Sequence, residues 1–272
     1  MKKIIIYIFC MFCVNHGYCY GSDNNIIKIL STTSTRDSGL YKYILPIFEK
    51  KYNAKVYVIA TGTGQAIKNA ENCNGDLLIT HAQELEINFV NNGFGISRHN
   101  LMYNDFVLIG PNTKIDLIKK SKNIIDAFNL IAMNKYKFIS RGDNSGTNIS
   151  EKKIWDLTNI DIKKNSGKWY LETGQGMGAT LNVAVATGAY AYTDRATWLK
   201  FKNKQDHIIT YEGDSRMFNQ YGIVKINPTH CKNINYKYSN LFFSWITSKQ
   251  GQKLIKNYKF NDKVLFVPNF NE

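Results

Sequence analysis

Proline is scarce, with 4 residues in 272, and the 19 glycines follow no triplet period, so collagen and a stiff proline-rich linker are excluded. Cysteine is nearly absent from the body of the chain. Of five in all, Cys10, Cys13 and Cys19 crowd the N-terminus and only Cys73 and Cys231 remain, which excludes a small disulfide-stapled scaffold. Those two either pair or stay buried thiols; spacing does not choose between them. Neither Cys73 nor Cys231 forms a C-x-x-C, and His81, His99, His207 and His230 form no H-E-x-x-H or related cluster, so a metal site has no support. Acidic residues are few: 35 Lys+Arg face 21 Asp+Glu, a net charge of +14. Such an excess suits nucleic acid, an anionic membrane or an acidic ligand. Lysine, asparagine, isoleucine and tyrosine are abundant together, however, so the charge is read as solubility first, and no nucleic-acid partner is expected.

What is present suffices for a core: 44% of residues are hydrophobic, and the length favours two domains. Lys2 and Lys3 precede an apolar run over residues 4–14, and small residues follow at Gly17, Cys19 and Gly21. This reads as a signal peptide over residues 1–21, directing export. The run is about half of the ~20 residues that span a bilayer, so no permanent anchor is expected. Lipid attachment at Cys19 is not expected either, because Tyr18 is too large for the position before it.

Strand-to-helix units then repeat. Residues 26–30, 55–60 and 76–80 read as strands, each followed by a helical pattern, over 40–48, 66–72 and 84–91. A longer strand over 103–111 opens a second set: strand 138–140 with helix 149–157, strand 169–172 with a helix ending at 187, and strand 190–193. A strand over 221–226 resembles 103–111, and 238–258 reads as one C-terminal helix. The alternation predicts an α/β fold of two lobes, each a mostly parallel sheet flanked by helices, with the two long strands crossing between them. Lobe I is assigned residues 22–110 and 213–272, lobe II residues 111–212.

Four of the strand-to-helix turns are crowded with Ser, Thr and Gly. Such turns put free N–H groups and short hydroxyls at helix N-termini, which suits an anion. In open α/β sheets ligands lie beyond the carboxyl ends of strands, so turns of two lobes can share one cleft. Arg141 lies in the third turn, where its planar guanidinium can bind a tetraoxyanion through parallel hydrogen bonds. Hydroxyls at Thr33, Ser34, Thr63, Ser145 and Thr147 would complete a shell of neutral donors. Each turn also has a plainer reading: Ser31 to Ser38 can simply cap a helix, and Thr61 to Gly64 can be a tight turn. Gly174, Gly176 and Ala179, with Asp194 twenty residues beyond Gly174, match a dinucleotide fingerprint, but an exported chain rarely meets that cofactor.

Five motifs in order carry a resemblance: Thr32-Thr33-Ser34-Thr35-x-Asp37-Ser38-Gly39-Leu40, Thr61-Gly62-Thr63-Gly64-Gln65-Ala66, Met102-Tyr103-Asn104-Asp105-Phe106, Ser140-Arg141-Gly142-Asp143-x-Ser145-Gly146-Thr147, and Glu172-Thr173-Gly174-Gln175-Gly176-Met177-Gly178-Ala179-Thr180-Leu181. With Tyr192-Thr193-Asp194-Arg195 and Phe218-Asn219-x-Tyr221-Gly222, they make the whole chain beyond the signal segment resemble the tungstate-binding component of ABC importers, the Tup type. The resemblance implies a class II periplasmic binding protein that closes on tungstate and presents it to an inner-membrane permease with a cytoplasmic ATPase. It implies no enzyme activity and no cofactor, and a monomer is expected. Carried over by motif, Thr32, Thr33, Ser34, Thr63, Arg141, Ser145, Thr147, Gly178, Ala179 and Thr180 should contact the oxyanion. Asn148 departs from the family, which usually has His after Ser-Gly-Thr. The alternatives are another oxyanion, whether molybdate, sulfate or phosphate, or an exported phosphate- or sulfate-ester hydrolase. The last would need a nucleophile beside a base, and no His falls in the four turns.

Overall fold

The computed structural model describes residues 25–114 and 118–271; the expected signal segment, Cys19 included, lies outside them. Strands β1 (Ile26–Thr32), β2 (Lys55–Thr61) and β3 (Leu77–Thr80) run parallel, in the order β2-β1-β3. β5 (Phe138–Ser140), β6 (Tyr170–Glu172) and β7 (Tyr190–Asp194) form a second parallel set, in the order β7-β5-β6. Between the sets run β4 (Gly95–Pro111) and β9 (Phe218–Ile226), antiparallel to each other and to their neighbours β7 and β3. β8 (His207–Tyr211) and β10 (Val267–Pro268) also pair antiparallel with β4. The sheet is therefore parallel at its two outer parts and antiparallel where the two long strands cross, in line with the expectation of two mostly parallel lobes joined by crossing strands.

β4 begins eight residues earlier than expected, at Gly95 rather than Tyr103. Its first stretch, Ser97-Arg98-His99-Asn100, is too polar to read as a strand. It holds because β9 supplies the ladder while those side chains stay half-exposed. Gly95 to Asp105 pairs with β9 and Phe106 to Pro111 with β7 and β8, so β4 changes partners between Asp105 and Phe106, inside the strand. Arg195 braces this point, its Nε and Nη2 lying 2.6 and 2.5 Å from the Asp105 carboxylate oxygens.

Each part of the sheet is covered on both faces, as alternation along a strand requires. Ile27 and Ile29 of β1 pack under α2 (Leu40–Tyr52), whose Leu40, Ile44 and Phe48 supply the expected apolar stripe, with Phe242 and Trp245 beside them. Leu30 turns to the other face, against Ala66 and Ala70 of α3 (Thr63–Glu71) and Phe89 of α4 (Gln83–Asn91). In the second part, Phe106 and Leu108 meet Phe128 of α5 (Ile124–Met133) and Trp155 of α6 (Gly146–Leu157), while Val107 and Ile109 meet Leu181 of α7 (Met177–Ala186) and Trp198 of α8 (Arg195–Lys200).

The C-terminal helix is two, α9 (Tyr236–Thr247) and α10 (Lys249–Asn257). Ser248 takes an extended conformation between them, and its side chain caps α10 by accepting from Gly251 N. Cys73, at the end of α3, and Cys231, beyond β9, form a disulfide that closes a 158-residue span. No helix among the described residues is long and apolar enough to cross a membrane.

Candidate anion-binding site

The four turns leave the carboxyl ends of parallel strands and enter helix N-termini: β1 into the short helix α1 (Thr33–Asp37), β2 into α3, β5 into α6 and β6 into α7. Thr32, Ser34, Thr63, Arg141, Ser145, Thr147 and Thr180 are buried, Thr33 is half-buried, and Gly178 and Ala179 are exposed.

Three turns meet. Thr63 Oγ1, in the second turn, accepts from Gly146 N, in the third, at 3.1 Å across 83 residues of sequence. Added Cβ atoms on Gly62 and Gly64 would lie 3.9 Å from Asp143 Oδ2 and 4.0 Å from the Asn144 carbonyl oxygen. The first turn enters through His81: Ser34 Oγ is 3.2 Å from His81 Nε2, and a Cβ on Gly146 would stand 2.6 Å from His81 Cε1. Only glycine permits that approach. The fourth turn supports the third from behind, Thr173 N and Gly174 N donating to the carbonyls of Ser140 and Arg141 at 3.0 and 2.8 Å. The Thr180 hydroxyl is occupied with Thr173 Oγ1 at 2.9 Å, and nothing lies within 4 Å of a Cβ on Gly178. Gly178 and Ala179 thus face solvent at the start of α7, outside the buried cluster that the other turns build.

Arg141 is only 3% exposed. Its Nη2 donates to Asp143 Oδ2 at 2.6 Å, and Asp143 Oδ1 in turn accepts from Ser145 N at 3.2 Å, which fixes the guanidinium relative to the start of α6. Arg141 Nε and Thr147 Oγ1 are buried and have no hydrogen-bond partner. A buried donor left open costs about 1–3 kcal/mol, so two of them along the third turn and the start of α6 mark a site for an acceptor. Beneath them Ser140 Oγ donates to Glu151 Oε2 at 2.7 Å and accepts from Asn148 Nδ2 at 3.0 Å, while Asn148 Oδ1 accepts from Asn144 N. Asn148 thus braces the turn from below. Burial pushes Glu151 up to about 7, against the donors Ser140, Tyr170 and Trp155 that favour its ionised form.

Sequence reasoning missed His81, Asn104, Asp194 and Asn219. His81 follows β3 in a fifth turn that lacks the Ser and Gly density of the others. The remaining three lie in motifs that were recognised but given no role. Burial drives His81 down to about 4, with the Arg141 charge adding to the effect and Asn219 opposing it, so the ring is neutral near pH 7. Burial raises Asp194, while its bonds from Thr197 and the charge of Arg141 hold it down.

The model of the PBP superfamily domain matches residues 21–250. The chain belongs to that superfamily. Tungstate-binding protein TupA of Campylobacter jejuni is 38% identical over 239 residues, covering 86% of this chain and 87% of the relative. That of Peptoclostridium acidaminophilum is 40% identical over 248 residues, covering 89% and 85%. The solved TupA structure from Desulfovibrio alaskensis G20 superposes with a TM-score of 0.78 at 39% identity, over 90% of this chain and 99% of that one. These likenesses place the chain in the TupA family, whose members named here are tungstate-binding proteins.

Proposed function

We propose that this TupA-family chain captures tungstate in the periplasm between its two lobes and presents the closed complex to an ABC permease driven by a cytoplasmic ATPase. The observation that carries the reading is the pair of open buried donors, Arg141 Nε and Thr147 Oγ1, set where turns from both lobes meet. Around them the N-termini of α1, α3 and α6 contribute N–H groups, which stabilise a dianion without a metal. Arg141 and Thr147 supply side-chain donors, Thr63 and Ser145 hold the turns that bring them together, and the start of α7 backs the third turn. Closure follows from sharing: each lobe alone offers part of the donor set, and the ligand favours the state in which both parts reach it.

The ester-hydrolase alternative needs a base beside a hydroxyl, which the four turns do not offer, and in the structure His81 does stand beside Ser34. A ring held to about 4 is a poor base near neutrality, and both groups are buried. Binding is therefore the better reading. Calorimetric titration with tungstate, molybdate, sulfate and phosphate tests it: tungstate should bind tightest, and a chromogenic ester should not turn over. Tighter binding of sulfate or phosphate than of tungstate would reassign the ligand.

A further inference from the structure

The His81 ring touches both lobes and both crossing strands. Its Nε2 meets Ser34 Oγ at 3.2 Å, its Nδ1 meets Asn219 Oδ1 of β9 at 2.9 Å, its face stacks on Tyr221 with centroids 4.9 Å apart, and its Cε1 edge lies against Gly146. The chain of bonds continues: Asn219 Nδ2 donates to Asn104 Oδ1 of β4 at 2.7 Å. Asn219 Nδ2 also donates to the Tyr221 hydroxyl at 3.2 Å.

An amide NH2 only donates and its oxygen only accepts, so the direction of the chain is fixed at Asn219, whose Nδ2 faces Asn104 Oδ1 and the Tyr221 hydroxyl and whose oxygen faces the ring. His81 Nδ1 must then carry the proton, and the bare Nε2 accepts a hydrogen bond from the Ser34 hydroxyl. Beyond Ser34 the hydroxyls continue in the same sense. Thr32 Oγ1 lies 3.0 Å from Ser34 Oγ and 2.9 Å from Thr35 Oγ1, so Thr35 donates to Thr32 and Thr32 to Ser34.

We propose that His81 is a positioning residue of the anion site: its bare Nε2 accepts the Ser34 hydroxyl hydrogen bond, so that the first turn offers the ligand its backbone N–H groups and not its hydroxyls. Thr32 and Ser34, expected as hydroxyl donors, become the scaffold that aims those amides, and the ring links their geometry to the crossing strands and to Gly146 of the opposite lobe.

The inference rests on the tungstate reading only for the choice of probe. Nitrogen-15 NMR of the wild-type protein without ligand reads the ring directly; the expected spectrum shows Nδ1 protonated and Nε2 bare, and a protonated Nε2 overturns the proposal. In tungstate titrations His81→Leu, which fills similar space without an acceptor, should weaken binding about tenfold, while His81→Gln, whose amide oxygen can accept from the Ser34 hydroxyl, should recover most of that loss. Equal losses in the two variants would also overturn it. Should the Leu variant fail to fold, the wild-type spectrum still decides. Should the wild type take up no tungstate, the functional reading fails on its own while the ring's tautomer stays measurable.

Discussion

The two lobes bring unlike chemistry to the same place. The first turn, in lobe I, is a chain of hydroxyls, Thr35, Thr32 and Ser34, ending on the neutral His81 ring. The third turn, in lobe II, is built on charge: Arg141 held by Asp143 above the buried Glu151. The lobes also differ in how they are held, since the disulfide lies within lobe I and residues 111–212 contain no cysteine. A charged half and a neutral half each hold only part of the donors that an anion between them would use, the one through the guanidinium held by Asp143 and the other through groups that act only at contact.

Variants can break this contrast, and the largest effect is expected on stability. Replacing Cys73 and Cys231 by Ser should cost about 3 to 4 kcal/mol, since the closed span is long, and denaturant unfolding with tungstate absent will measure it. Arg141→Ala should cost about 3 kcal/mol of tungstate binding, more than a hundredfold in affinity, because charge-assisted bonds are lost from a buried site. Unchanged affinity in calorimetry would remove Arg141 from the site.

Glu151→Gln sharpens the comparison through pH. The folded-state value of about 7 lies above the ordinary 4.5, so this group's contribution to stability is present in full below 4.5 and is lost as pH rises through 7. Unfolding curves from pH 5 to pH 8 should therefore show the wild type losing about 2 kcal/mol more than the variant. Gly146→Ala should lower tungstate affinity about tenfold by pushing a methyl into the His81 ring, and solution scattering should show a wider ligand-bound form. The smallest effect is expected at the cleft mouth, where Lys153 of α6 and Glu84 of α4 pair across the lobes at 2.6 Å, both exposed. Lys153→Gln should weaken tungstate binding by less than about 1 kcal/mol, and the difference should vanish at high salt.

Much of the architecture was legible because it is local. The apolar spacing of Leu40, Ile44 and Phe48 announced α2, and the Ser/Thr/Gly runs announced helix starts after β1, β2, β5 and β6. The Ser248 break was hidden because one capping serine between two amphipathic stretches leaves the periodicity almost intact. Within the site, Arg141 and Thr147 stood out by residue type and position. His81 did not, since a lone histidine after an apolar strand carries no local mark, and its partners lie at residues 34, 146 and 219.

By itself the amino-acid order determined the alternation of strand, turn and helix and stocked the turns with donors, because propensity and capping act within a few residues. Tertiary structure alone decided that three of those turns meet, that the crossing strands run antiparallel, that Cys73 finds Cys231 and that a neutral imidazole aims the first turn. Each depends on contacts between residues far apart in the chain, which packing brings together and no short window of sequence contains.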